Sequence, residues 1–171
     1  MENPTILLMK DVVSSFFENN EIVKKTLEKN EGYSYHKIYE ISNEQDGGFV
    51  FLLRKTAHFC TEACLYFDKN GKLMSRSVED LVWKGKINFN EQGNLISKEL
   101  HHPSRGYKVE IVRDENNQVF KNETIPDNYK KLDFDIEEKI DSTLAKYSYR
   151  ECLEDFKEVV FYAMSRKKNT Q

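Results

Sequence analysis

Cysteine is scarce in this chain, and what there is does not pair up. Cys60, Cys64 and Cys152 are an odd set in 171 residues. They form no disulfide framework of the secreted kind, so a reducing, cytoplasmic setting is expected. Long apolar runs are lacking as well. Ile6-Leu7-Leu8-Met9 ends at Lys10, far short of the roughly 20 apolar residues of a membrane span, and no basic start with a long apolar stretch marks a signal peptide. Positive charge is in deficit: 26 Lys and Arg face 29 Asp and Glu, giving a net charge of −3 and a pI near 5.9. That disfavours a phosphate-seeking surface and mildly favours a protein partner. No Gly-x-Ser-x-Gly, phosphate loop, dinucleotide fingerprint or His-Glu-x-x-His occurs, which sets aside the enzyme classes those motifs mark.

What is present is bulk in few side chains. Hydrophobic residues make up 39% and charged residues 32%, so the eleven Phe and nine Tyr must carry the core. The length suits a single domain over 1–171. Ile6, Met9, Val12, Val13, Phe16 and Phe17 recur at offsets of three and four. Ile22, Val23 and Leu27 resume that face before Gly32, so residues 1–31 are predicted to be an amphipathic N-terminal helix. From Tyr33 the period becomes two. Tyr33, Tyr35, Lys37, Tyr39 and Ile41 share one side, and Asp46-Gly47-Gly48 turns the chain into Phe49-Val50-Phe51-Leu52-Leu53. A further strand over Ala57 to Phe67 puts Ala57, Phe59, Ala63, Leu65 and Phe67 on the drier face.

A phrase then recurs: Phe67-Asp68-Lys69-Asn70-Gly71-Lys72-Leu73, Phe89-Asn90-Glu91-Gln92-Gly93-Asn94-Leu95, and Arg113-Asp114-Glu115-Asn116-Asn117-Gln118-Val119. Each copy reads as a hairpin, with an Asp or Asn that bonds its own backbone and a Gly or Asn three residues later that accepts positive φ. His101-His102-Pro103-Ser104-Arg105-Gly106 reads as a longer loop between units. The 33–124 region is thus an antiparallel meander of about eight strands. After the Pro126-Asp127-Asn128 connector, Ile136, Ile140, Leu144 and Tyr147 mark a helix that Asp133 or Asp135 would cap. Ser148-Tyr149-Arg150-Glu151 is the capping pattern of a second helix, with Cys152, Leu153, Phe156, Val159, Val160, Ala163 and Met164 on its face. Two C-terminal helices over 133–167 and one N-terminal helix flank the sheet, and the fold class is α+β.

Few residues invite chemistry. Cys60 and Cys64 would stand about 13 Å apart on a strand, too far to share a metal ion. Cys60 near His58 or His36 is the one nucleophile–base arrangement to name; His58, two residues from Cys60 on a strand, would be about 6–7 Å off, which does not by itself make a contact. Buried structural thiols are the simpler account, and neither a catalytic residue nor a metal or other cofactor is assigned. Tyr33, Tyr35 and Tyr39 would form a base-stacking row, but a tyrosine ladder packed across strands is simpler, and Arg166-Lys167-Lys168 falls in a polar tail. Nucleic acid is therefore disfavoured. Glu151, Glu154, Asp155 and Glu158 read either as a solvated helix face or as an acidic patch for a basic cleft on a protein partner. With His101, His102 and Arg105 from the loop they form the candidate partner-binding set.

The Phe-Asp-x-x-Gly-x-Leu phrase, over about residues 66–120, resembles the β-hairpin repeats of the MORN-variant and Rhs-type class. That resemblance implies a hairpin scaffold and no catalytic residue; the third copy departs from it, with Arg113 for the aromatic and Asn117 for glycine. A small acidic α+β chain of this character is similar, at the level of class, to immunity proteins of bacterial polymorphic-toxin systems. The expectation is a non-enzymatic module that masks a toxin's active cleft. The alternatives are a small-molecule binder or enzyme with a pocket on the sheet, and an oligomeric structural module.

Overall fold

In the computed structural model the alternation that begins at Tyr33 continues strand after strand into one open antiparallel sheet in simple meander order. The structure describes residues 23–31, 33–56, 60–116, 118–130 and 134–169, with side chains from 40 to 159 except at 43, 56–60, 117 and 131–133. Among the described residues nine strands follow one another: β1 Val23–Glu31, β2 Tyr33–Asn43, β3 Phe49–Thr56, β4 Cys60–Phe67, β5 Leu73–Glu79, β6 Lys84–Phe89, β7 Leu95–His102, β8 Tyr107–Arg113 and β9 Val119–Thr124. Within the described residues β1 and β9 are the two edges.

Register comes from the repeated turns. The Asp68 N–H donates to the Lys72 carbonyl at 2.9 Å and the Gly71 N–H to the Asp68 carbonyl at 3.0 Å, while Asp68 Oδ1 accepts from the Asn70 and Lys72 amides. Asn90 repeats this with Gln92 and Asn94, and Asp114 with Asn116 and Gln118. The same backbone bonds close Glu44–Gly48, a further copy upstream of the three legible ones, in which Asp46 supplies the side-chain oxygen instead. Gly47, Gly71 and Gly93 all take φ between 81° and 88°, where a Cβ is strained and glycine is not. These four turns alternate with the chain reversals at the sheet's other end, so one hairpin unit repeats along the sheet.

One sheet face is apolar and covered. Phe51, Leu53, Ala63, Leu65, Val78, Leu100 and Val109 on this face are all fully buried. The cover is helical: α1 Ile136–Ala145 and α2 Tyr149–Asn169. Asp135 caps α1, its side chain accepting from the Glu138 N–H at 3.0 Å, and Ser148 Oγ accepts from the Glu151 N–H at 3.1 Å. Ile140, Leu144 and Tyr147 point inward, as their spacing predicts. α1 crosses β5–β7, and Gly85 of β6 makes room for it: a Cβ there would stand 3.0 Å from the Ile140 carbonyl and 3.4 Å from the Leu144 and Thr143 side chains. From α2, Phe156 stacks on Phe67 at 5.1 Å and sits 4.5 Å from Phe51.

Buried on the same face, Arg76 donates to the Tyr147 carbonyl at 2.6 Å and the Leu144 carbonyl at 3.3 Å. A cation thus caps two carbonyls at the end of α1, adding to the Tyr147 amide's bond to Leu144. Cys152 lies against it, and burial pushes that thiol up to about 11, so it stays protonated.

Three expectations change. The helix foreseen through residue 31 is strand β1 over Val23–Glu31, paired along β2 from Val23↔Ile41 to Glu31↔Tyr33; residues 1–22 lie outside the described set. Val23 and Leu27 are four apart, a spacing that shares a face at a period of 2 as well as 3.6, and pairing with the long edge of β2 decides between them. The two separate C-terminal helices are one bent helical run, interrupted only at Lys146–Ser148, where the Lys146 and Tyr147 amides still bond back to Thr143 and Leu144. Finally, His101 and His102 belong to β7, opposite Lys108 and Tyr107, so the loop shrinks to the short helical turn Pro103–Arg105 and Gly106.

Candidate functional site

No described helix lies on the other face of the sheet, and its side chains follow from the same alternation. One cross-strand row runs Leu52, Cys64, Ser77, Lys86, Glu99, Glu110, Asn122. A second runs Val50, Tyr66, Ser75, Asn88, Ser97, Val112, Phe120. A third carries Arg54, Glu62, Glu79, Lys84, His101, Lys108 and Thr124.

At the centre of this polar face Glu99 is only 7% exposed. The Asn88 amide reaches it at 2.6 Å and also touches Ser97 Oγ at 2.8 Å, His101 Nε2 lies 3.0 Å away, and Lys108 Nζ 3.9 Å. Its carboxyl is held down at about 2, first by the His101 contact and against the opposing effect of burial, with help from Asn88 and the charge of Lys86. A buried carboxylate satisfied from two strands is held in a fixed position. Near the repeated turns the Tyr66 hydroxyl donates to Asp46, which pushes the phenol up to about 12 and the carboxyl down. Burial pushes the Cys64 thiol up, which keeps it protonated.

Toward the last edge the face opens. A groove of about 460 Å³ follows β8 and β9, lined by Lys108, Glu110, Lys121, Asn122, Glu123 and Thr124. All six residues of β9 are exposed.

The residues singled out in the sequence separate in space. His101 lies on the uncovered face, while His102 turns to the covered side, where Trp83 at 5.1 Å, Tyr107 and Tyr129 form an aromatic corner around it. In that corner Ser104 Oγ is 3.1 Å from His102 Nδ1, and the Tyr129 hydroxyl 3.4 Å from Nε2. Arg105 is exposed at the tip. The acidic set splits as well: Asp155 is 4% exposed and takes the Tyr147 hydroxyl, Glu151 reaches Lys55 at 2.8 Å, and Glu154 stays exposed beside Arg150. Asp155 therefore belongs to the packed side of α2 rather than to an outward acidic patch. The side chains of His36, Tyr33, Tyr35, Tyr39, His58 and Cys60 lie outside the described set. Among the described residues no His, Cys, Asp and Glu cluster fits a metal ion, and no helix is long and apolar enough to cross a membrane.

Asn88 and Glu99 were not singled out in the sequence. Their signal was the alternation Ser97, Glu99, His101 on one strand, and the Asn90–Asn94 turn that sets Asn88 opposite Ser97. No family model, no curated protein and no solved structure matches this chain.

Proposed function

We propose that this chain is a non-enzymatic protein-binding module, an immunity-type inhibitor whose uncovered sheet face masks the active cleft of a cognate toxin domain. One observation carries the reading: the polar centre at Glu99 is already assembled and fastened by Asn88 and His101 on a wide face that no described helix covers. A surface ordered before binding loses little side-chain freedom on association, and its breadth suits a protein partner better than a small ligand. Lys86, Lys108 and Glu110 around it give the alternating charge that selects a partner. In this arrangement His101 replaces the acidic helix as the centre of the contact, with Arg105 at its rim.

The test is recovery of tagged full-length chain from its native host with its partner, alongside a Lys86→Glu/Lys108→Glu variant. A stoichiometric complex with a toxin domain, inactive while bound and weakened at least tenfold by the variant, is expected. Absence of a stoichiometric partner, or a partner indifferent to both lysines, overturns the proposal.

A second reading rests on the Ser104–His102–Tyr129 contacts, a hydroxyl beside an imidazole oriented by a third group. Labelling of Ser104 by a serine-directed phosphonate, abolished in His102→Gln, would favour an enzyme at that corner.

A further inference from the structure

The last edge of the sheet combines three features. β9 pairs with β8 on one side only, and among the described residues no strand lies along its other side. Every residue from Val119 to Thr124 is exposed, and the groove over β8 and β9 opens along it. Among the described residues neither Lys121 nor Glu123 takes part in an ion pair. A row of unpaired backbone donors and acceptors is a template for another strand, so the question is which strand suits it.

We propose that β9 pairs antiparallel with β9 of a second copy of this chain, about a twofold axis normal to the sheet at Asn122. Such an axis keeps the same face up in both copies, so only registers that match like-facing residues are allowed. Centred on Asn122, the register sets Lys121 opposite the twin's Glu123 twice over, Asn122 opposite its own copy, and Phe120 opposite Thr124. Opposite charges, paired amides and apolar contacts all favour this arrangement. The neighbouring registers do not. Centring on Lys121 brings the two Lys121 together, and centring on Glu123 brings the two Glu123 together. The same charges that blunt the edge against other strands thus select one pairing with itself.

Five facing residues a side, Phe120 to Thr124, make a small interface, so the dimer is reversible and concentration-dependent. Both helical layers fall on one side of the joined sheet and both polar faces on the other, leaving each Glu99 centre open.

Sedimentation velocity on the full chain over a concentration series tests this, with circular dichroism confirming that the variants fold. Lys121→Glu puts like charges opposite at both positions, as does Glu123→Lys, and each should weaken dimerisation about tenfold. The double swap Lys121→Glu/Glu123→Lys restores opposite charges and should restore the dimer. A wild-type chain that stays monomeric throughout overturns the proposal. So do single swaps that dimerise like wild type, or a double swap as weak as the singles, since only facing pairs predict that rescue.

Discussion

Glu99 is nearly out of water on a face that no described helix covers, and its neighbours make that state stable. The Asn88 amide and the His101 ring bond the charged form, and Lys86 adds an opposite charge. Because the folded carboxyl sits at about 2, below its ordinary value of 4.5, its contribution is complete above the unfolded value and fades as pH falls toward the folded one. Replacing Glu99 with Gln should cost about 1–3 kcal/mol at neutral pH. It should also flatten the loss of stability between those two values. Urea midpoints measured across acid pH would show both effects, and an unchanged acid slope would refute the account. The sequence displayed Ser97, Glu99 and His101 in alternation but not their depth of burial, which depends on neighbours contributed by β6 and β8.

At the scale of elements, the helical run is seated by the absence of a side chain. Gly85 lets α1 approach β6 until the Ile140 carbonyl stands where a Cβ would be crowded. Valine there adds three carbons against a backbone that cannot swing aside, so Gly85→Val should lower stability by about 1–3 kcal/mol, read as a reduced denaturant midpoint. The hairpins were the most legible elements, since Asp68, Asn90 and Asp114 each bond their own turn and need nothing distant to do so. The copy at Glu44–Gly48 escaped the repeated phrase because Glu44 replaces the opening Asp or Asn, and Asp46 supplies the oxygen instead. β1 is ambiguous in sequence for a related reason: its spacing serves two periods, and only pairing with β2 chooses between them.

Across the whole molecule, the meander of nine described strands has one apolar face, and among the described residues the arm that follows it in sequence covers it. A chain stopped before Asp135 would expose Phe51, Leu65, Val78 and Leu100 at once. Such a chain should lose its cooperative unfolding and bind a hydrophobic dye strongly; a soluble truncated chain with native unfolding would refute this. Residue order alone determined the hairpin phrase, the α+β class and the inward faces Ile140–Leu144–Tyr147 and Cys152–Phe156, because turns and helix faces are local and repeat at short periods. Tertiary structure decided what depends on partners far along the chain. It made residues 23–31 a strand, turned Asp155 inward beneath Tyr147, parted His101 from His102 across the sheet, and gathered Asn88, Glu99 and His101 from two strands into one site. The physical reason is shared: alternation says that two residues lie on opposite faces, while only packing says which face is covered.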